Sequence, residues 1–173
     1  GILWAGTEDA GIIKLDPNKR HLSFIQQRPI NSEWLSINEI KAICEDKSGQ
    51  TSIGTARGLH RYNKQEKTFT SFLKEEYIES LRLDQEGNLW VGVQLNKDFS
   101  VYQLNPQTGQ IIGFWPYSEK NDYEIIFAIY EDHKGLLWFG TVNGLKSYDR
   151  RKNQWQHYPH DAKNPKGICD YWV

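Results

Sequence analysis

The feature that most restricts what this chain can fold into is that it repeats. Stretches 40–49, 78–87 and 126–135 each begin with Ile (Ile40, Ile78, Ile126), reach an Asp six residues on (Asp46, Asp84, Asp132) and a Gly three beyond that (Gly49, Gly87, Gly135). Five residues later stands another Gly (Gly54, Gly92, Gly140), and Gly6 is its counterpart in an earlier unit that lacks its front part. Two residues before these glycines lie Trp4, Trp90 and Trp138, with Ser52 in that place in the second unit. The units stay in step through Leu15, Tyr62, Leu104 and Tyr148, and then through the apolar pairs Leu22/Ile25, Phe69/Phe72, Ile111/Phe114 and Trp155/Tyr158. The marker glycines are spaced 48, 38 and 48 residues apart, a period that belongs to repeat architectures.

Each unit reads as four short strands, A to D. Strand A is the apolar run before the Asp. The Asp-x-x-Gly turn reverses it, because Asp bonds its local backbone and Gly supplies a positive φ. Strand B holds the Trp and the Gly, strand C ends near Tyr62 or Tyr148, and strand D carries the last apolar pair. Helical periodicity is weak throughout. Four antiparallel strands per ~40–50 residues is the signature of a propeller blade. The expectation is an all-β chain, a β-propeller segment of four-stranded antiparallel blades, about three full blades plus one partial. It forms a single segment over 1–173: blades 2–25 (strands B–D only), 40–72, 78–114 and 126–158, with 159–173 linking to a next blade whose strand A starts at Val173. The Gly after Trp should let neighbouring blades approach while the Trp fills the space between them. Ser52 should cost its blade packing, on the order of a large core truncation, ~3–5 kcal/mol.

Charge and composition exclude some classes. Lys+Arg number 21 and Asp+Glu 22, for a net charge of -1, so there is no electrostatic footprint for nucleic acid or an anionic membrane. No apolar run approaches the ~20 residues of a membrane span. No signal precedes Gly1 and Met is absent, so the chain reads as a piece of a longer translation product. Cys44 and Cys169 lack the spacing of a metal knuckle or redox pair and read as independent, buried or half-buried residues. Glu45-Asp46 and Glu131-Asp132 resemble acid/base carboxylates, but their recurrence in one turn assigns them to turn chemistry. His157, His160 and Asp161 hint at a metal, yet the first falls in a strand and the second in a loop. No nucleophile elbow or phosphate loop occurs. No catalytic residue, metal or cofactor is therefore expected.

Binding is expected at one end of the blades. The A–B turns are short and uniform, which suits scaffold, whereas the D–A links and B–C loops vary. Blade 3 has a longer B–C stretch, Val93 to Phe99. Variable loops on a rigid frame are where binding concentrates. On that face fall Arg28, Trp34, Arg57, Lys97, Asp98, Trp115, Tyr117, Tyr123, His160 and Asp161. Of these, Trp34, Arg57, Trp115, Tyr117 and Tyr123 are the candidate ligand contacts. Aromatic platforms with polar neighbours suit a sugar. The competing reading has Trp34 and Trp115 plugging loops against the blades.

The cleanest unit runs Ile126, Glu131-Asp132, Gly135, Leu137-Trp138, Gly140-Thr141, Asn143-Gly144-Leu145, Tyr148-Asp149. This closely resembles the two-component regulator propeller repeat, and the resemblance covers nearly the whole chain. It implies the extracytoplasmic, periplasmic sensor region of a hybrid two-component histidine kinase and response regulator. It also implies seven-bladed propellers, often in tandem, many of which sense oligosaccharides. On that basis the segment is a ligand-sensing module and not an enzyme, with oligosaccharide, neighbouring blades or a second copy joined through open blade edges as partners. The rivals are a structural or dimerisation module without its own ligand, and a propeller lyase of the streptogramin-lyase kind. The latter needs a histidine and acid cluster at the channel mouth.

Overall fold

A computed structural model describes the chain except residues 1–2, 8–11, 19–20, 26–38, 96–97, 118–124, 162, 165–166 and 169. Among the described residues there are fifteen strands and no helix. Blade 1 is β1 (Leu3–Gly6), β2 (Ile12–Asp16) and β3 (His21–Ile25); blade 2 is β4 (Ile40–Glu45), β5 (Thr51–Thr55), β6 (Gly58–Asn63) and β7 (Thr68–Phe72). Blade 3 is β8 (Tyr77–Leu83), β9 (Leu89–Leu95), β10 (Asp98–Leu104) and β11 (Ile111–Tyr117); blade 4 is β12 (Ile126–Glu131), β13 (Leu137–Thr141), β14 (Gly144–Asp149) and β15 (Gln154–Tyr158). Strands pair in sequence order within each sheet, and every register given is antiparallel. The chain is thus a propeller segment of three full blades and a three-stranded one. It divides into two compact units, Gly1–Ile78 and Glu79–Val173.

The repeated residues explain the sheets. In the A–B turns Asp46 Oδ1 accepts the amides of Ser48 and Gln50 at 2.8 and 2.9 Å, and Asp132 Oδ1 those of Lys134 and Leu136 at 2.8 and 3.0 Å. The glycine closing each turn is left-handed, as at Gly87 (φ 88°), where a side chain would be strained. The Thr of Gly-Thr closes the B–C turn: Thr141 Oγ1 donates to Gly144 O at 2.9 Å and accepts the Asn143 amide at 3.1 Å.

The glycine of strand B is a contact point between neighbouring sheets. A Cβ on Gly6 or Gly54 would stand 2.6 Å from the Cγ2 of Ile40 or Ile78, and one on Gly92 would lie 3.2 Å from Ile126 Cβ. On Gly140 it would lie 2.3 Å from the Val173 carbonyl oxygen. Val173 thus meets blade 4 as Ile40 meets blade 1. Its amide donates to Thr141 O at 3.1 Å, and the Ile40 amide to Thr7 O at 3.5 Å. Trp90, wholly buried, fills the space between blades 3 and 4 in a cluster with Val101, Ile126, Ile129, Leu137, Phe139 and Tyr148. In the first unit Ile12, Ile53 and Tyr62 form the core, with Trp4, Ile40, Ile43 and Phe69 against it. Ser52 is buried in β5.

One expectation is corrected. The extra residues of blade 3 between Val93 and Phe99 do not lengthen a loop. They extend the ladder, with Asp98 opposite Leu95 and Phe99 opposite Gln94, because the backbone pairing continues where a loop would leave its polar groups unpaired. Cys44 is half-buried on β4, and Cys169 lies outside the described residues.

Candidate functional site

Antiparallel order puts the A–B and C–D turns at one end of a blade, and the B–C turns with the D–A links at the other. At the turn end the acidic residues are committed to structure. Asp84, with its side chain wholly buried, accepts Trp90 Nε1 at 2.9 Å and Arg150 Nη1 at 2.7 Å. Arg150 Nη2 also reaches Glu131, whose other oxygen accepts the Gln85 amide at 2.6 Å. Glu45 pairs with Lys64 at 2.9 Å and accepts the indole N–H of Trp4. These carboxylates join strand, turn and neighbouring blade, so the Glu-Asp pairs act as fasteners.

At the loop end of the first unit, Arg57 is exposed in the turn after Thr55, and its carbonyl accepts the Glu75 amide at 3.2 Å. The link after blade 2 is tight, and Leu73 and Glu75 take left-handed conformations (φ 44° and 65°) that cost non-glycine residues energy. Beside it Lys41 lies 2.9 Å from Glu39 and 5.3 Å from the Tyr77 ring centroid, and the Tyr77 hydroxyl donates to Glu39 at 3.2 Å. The Glu39 hydrogen bond raises the Lys41 pKa, and Lys41 lowers that of Glu39. His60 is buried on β6, 3.2 Å from Thr55 Oγ1 and 3.1 Å from Ser71 Oγ, and burial pushes its pKa down to about 4.

The loop end of the second unit holds a cleft of about 500 Å³ lined by Ile125, Phe127, Val142, Asn143, Asp170, Tyr171 and Trp172. Phe127 and Trp172 face each other with ring centroids 5.7 Å apart and planes at 31°. Tyr171 and Trp172 line this cleft from the link that leads to Val173. The wall they form is fastened from behind. Gly144 N donates to Tyr171 O at 2.7 Å, and Asp170 Oδ1 accepts the Tyr171 and Trp172 amides at 2.7 and 3.4 Å. His160 packs on Tyr171 with centroids 4.4 Å apart and donates from Nδ1 to Ile168 O at 2.7 Å, while His157 donates from Nε2 to Asn143 O at 2.9 Å. Apolar rings beside a carboxylate and an amide can take a ligand with both an apolar face and hydroxyl edges.

Residues 120–143 match the family model described as two component regulator propeller. That stretch, from the link before blade 4 to its B–C turn, is similar to this repeat. The fold of the chain is similar to the extracellular domain of BT4673 from B. thetaiotaomicron, described as a hybrid two component system. The TM-score is 0.78 and the identity 26%, over 99% of this chain and 23% of that one. The extracellular domain of BT3049, from the same organism, gives a TM-score of 0.70 at 19% identity over 90% of this chain and 21% of that one. Virginiamycin B lyase from Staphylococcus aureus gives 0.70 at 13% identity, over 94% of this chain and 53% of that one. The last two likenesses establish the fold alone. The chain spans less than a quarter of the sensor ectodomains it resembles. No curated protein sequence matches it.

The fold places the candidate contacts unevenly. Trp115 is half-buried on β11 and stacks on Trp90 (centroids 5.0 Å, 23°), with Tyr148 at 5.2 Å. Gly113 makes room for it, since a Cβ there would lie 2.4 Å from the Trp115 ring. One face of this indole therefore belongs to the core. Arg57 is alone of the five in standing exposed on the described loop end. Trp34 and Tyr123, with Arg28 and Lys97, lie outside the described residues, as do the side chains of Tyr117 and Asp98. His160 serves the link, and Asp161 Oδ1 accepts the Lys163 amide at 2.9 Å, forming a local turn.

The cleft residues Phe127, Tyr171 and Trp172 were passed over in the sequence reading. A signal existed. Phe127 directly follows the first residue of a strand A, and Trp172 directly precedes the next one. Lys41 and Tyr77 hold the same two places in the first unit and also meet. In these two cases residues flanking the start of strand A face one another.

Proposed function

We propose that this chain is a ligand-binding part of the extracytoplasmic, periplasmic sensor region of a hybrid two-component receptor, and that its ligand is an oligosaccharide. The supporting observation is the 26% identity to the BT4673 extracellular domain, sustained over 99% of the chain. The segment acts by binding and leaves chemistry to other parts of the receptor. Ligand contact on the loop end favours one arrangement of the receptor over another, which is how binding energy becomes a signal. The lyase alternative finds little support. The described histidines near the loop end are tied to Thr55 and Ser71 or to backbone carbonyls, and the acidic pairs of the turn end are consumed by structure.

The test is a thermal-shift screen of this chain, beside the intact ectodomain, against an oligosaccharide panel. A ligand at 100 times its Kd adds about 2.7 kcal/mol, worth about 2–4 °C per kcal/mol at this size. A selective shift in both supports the reading. A shift in the ectodomain alone makes this segment scaffold. No shift in either turns the reading towards a protein partner.

A further inference from the structure

The structure assigns a sugar subsite to the blade 4 cleft, with Phe127, Tyr171 and Trp172 as the stacking wall and Asn143 and Asp170 as the polar edge, and it selects a neutral pyranose unit over an acidic one. This inference rests on the reading of the chain as an oligosaccharide binder.

A pyranose ring has an apolar C–H face and a rim of hydroxyls. The cleft offers the complement of both. Three aromatic rings and the apolar Ile125 and Val142 form one side, and an amide and a carboxylate stand at the edge. Its size lies within the usual ~300–1,000 Å³ of small-molecule sites. Asp170 has a double part. Its Oδ1 holds the amides of Tyr171 and Trp172 and so aims the wall. Its Oδ2 makes no hydrogen bond among the described residues, so it can accept from a sugar hydroxyl in a charge-assisted bond. The same carboxylate repels a uronate or sulfate group placed against it. The wall is also held in place before any ligand arrives: Gly144, Thr141 and His160 bind the link through Tyr171 O, Val173 N and Ile168 O. A wall ordered in advance spares a ligand the cost of ordering it.

The first unit makes a useful contrast. At the same two positions it has Lys41 over Tyr77, with Glu39 closing the group. There the aromatic face is already covered by an ammonium and the polar atoms pair with each other. At Phe127 and Trp172 the same two places carry aromatic rings and no ammonium.

Calorimetry on this chain and on the intact ectodomain tests the assignment. The probes are neutral xylo-, manno- and malto-oligosaccharides and acidic galacturonate and sulfated oligosaccharides. A neutral oligosaccharide should bind, and Trp172→Ala should weaken it at least about tenfold, the loss of a binding anchor, with Trp172→Phe recovering part. Asp170→Asn should weaken neutral binding and narrow the preference over acidic sugars. Lys152→Ala, on the turn at the other end of blade 4, should leave binding unchanged. Circular dichroism would check that the Trp172→Ala chain keeps its fold. Unchanged neutral binding in Trp172→Ala and Tyr171→Ala would overturn the subsite while the oligosaccharide reading stands. Preference for acidic sugars in the wild type would overturn the selectivity. No binding of any probe to either protein would remove the reading and the subsite together.

Discussion

The two units fasten the same motif in different ways. In the second, Trp90 is wholly buried and donates to Asp84 of its own A–B turn, and Arg150 spans Asp84 and Glu131, whose side chains are 0% and 2% exposed. In the first, Trp4 is half-buried and donates to Glu45 of the following blade. Lys64 takes the place of Arg150, and its pair with Glu45 is about a third exposed on either side (28% and 32%). Lys14 and Lys64 lie 5.4 and 5.2 Å from the Trp4 ring. The guanidinium is a planar fork that can serve two carboxylates at once, whereas an ammonium is a hydrated point charge. One substitution in the repeat therefore accompanies the change from a buried clamp to a solvated pair.

The largest break in this comparison should come from Arg150→Leu. Asp84 and Glu131 would keep their burial without a countercharge, and the second unit should lose ~3–5 kcal/mol, measured by hydrogen exchange across β13. Trp90→Ala should cost a similar ~3–5 kcal/mol. The half-buried Trp4 removes less apolar surface from water, so Trp4→Ala should cost under ~2 kcal/mol; equal losses at the two tryptophans would end the comparison.

Acid should strike the first unit in particular. Burial holds the pKa of His60 at about 4, below its ordinary 6.5, so on acidification the unfolded chain takes up its proton first. The stability tied to neutral His60 is complete above pH 6.5, falls as pH drops towards 4, and amounts to about 3 kcal/mol. Blade 4 has Lys146 in the equivalent place, opposite Phe139 as His60 is opposite Ile53. Unfolding followed from pH 7.5 to 4.5 should show the slope in β5 and β6 amides, and His60→Gln should flatten it. The smallest effect belongs to Lys64→Ala, whose partly exposed ion pair should contribute no more than ~1 kcal/mol; a loss comparable to that of Arg150→Leu would show the two fasteners to be equivalent.

The candidate site was legible only in outline. That the D–A links and B–C turns share an end follows from counting strands, so Arg57 and His160 could be placed on it. Trp115 could not be resolved, because whether its ring faces solvent or Trp90 depends on Gly113 and on the neighbouring sheet. Tyr171 and Trp172 align with the approach to a strand A, yet nothing in a linear pattern shows that Trp172 reaches Phe127, 45 residues back.

The all-β propeller class and its blade count were determined by the sequence alone. Their causes are local or periodic: an Asp that bonds amides two and four residues on, a Gly that accepts a positive φ, and apolar alternation along short strands. The tertiary structure decided what meets across blades. Arg150 bridges carboxylates 66 and 19 residues away, Trp90 finds Ile126 and Phe139, and the link before Val173 becomes the wall of a cleft. Such contacts depend on how one sheet packs on the next, and residue periodicity within a blade carries no term for that distance.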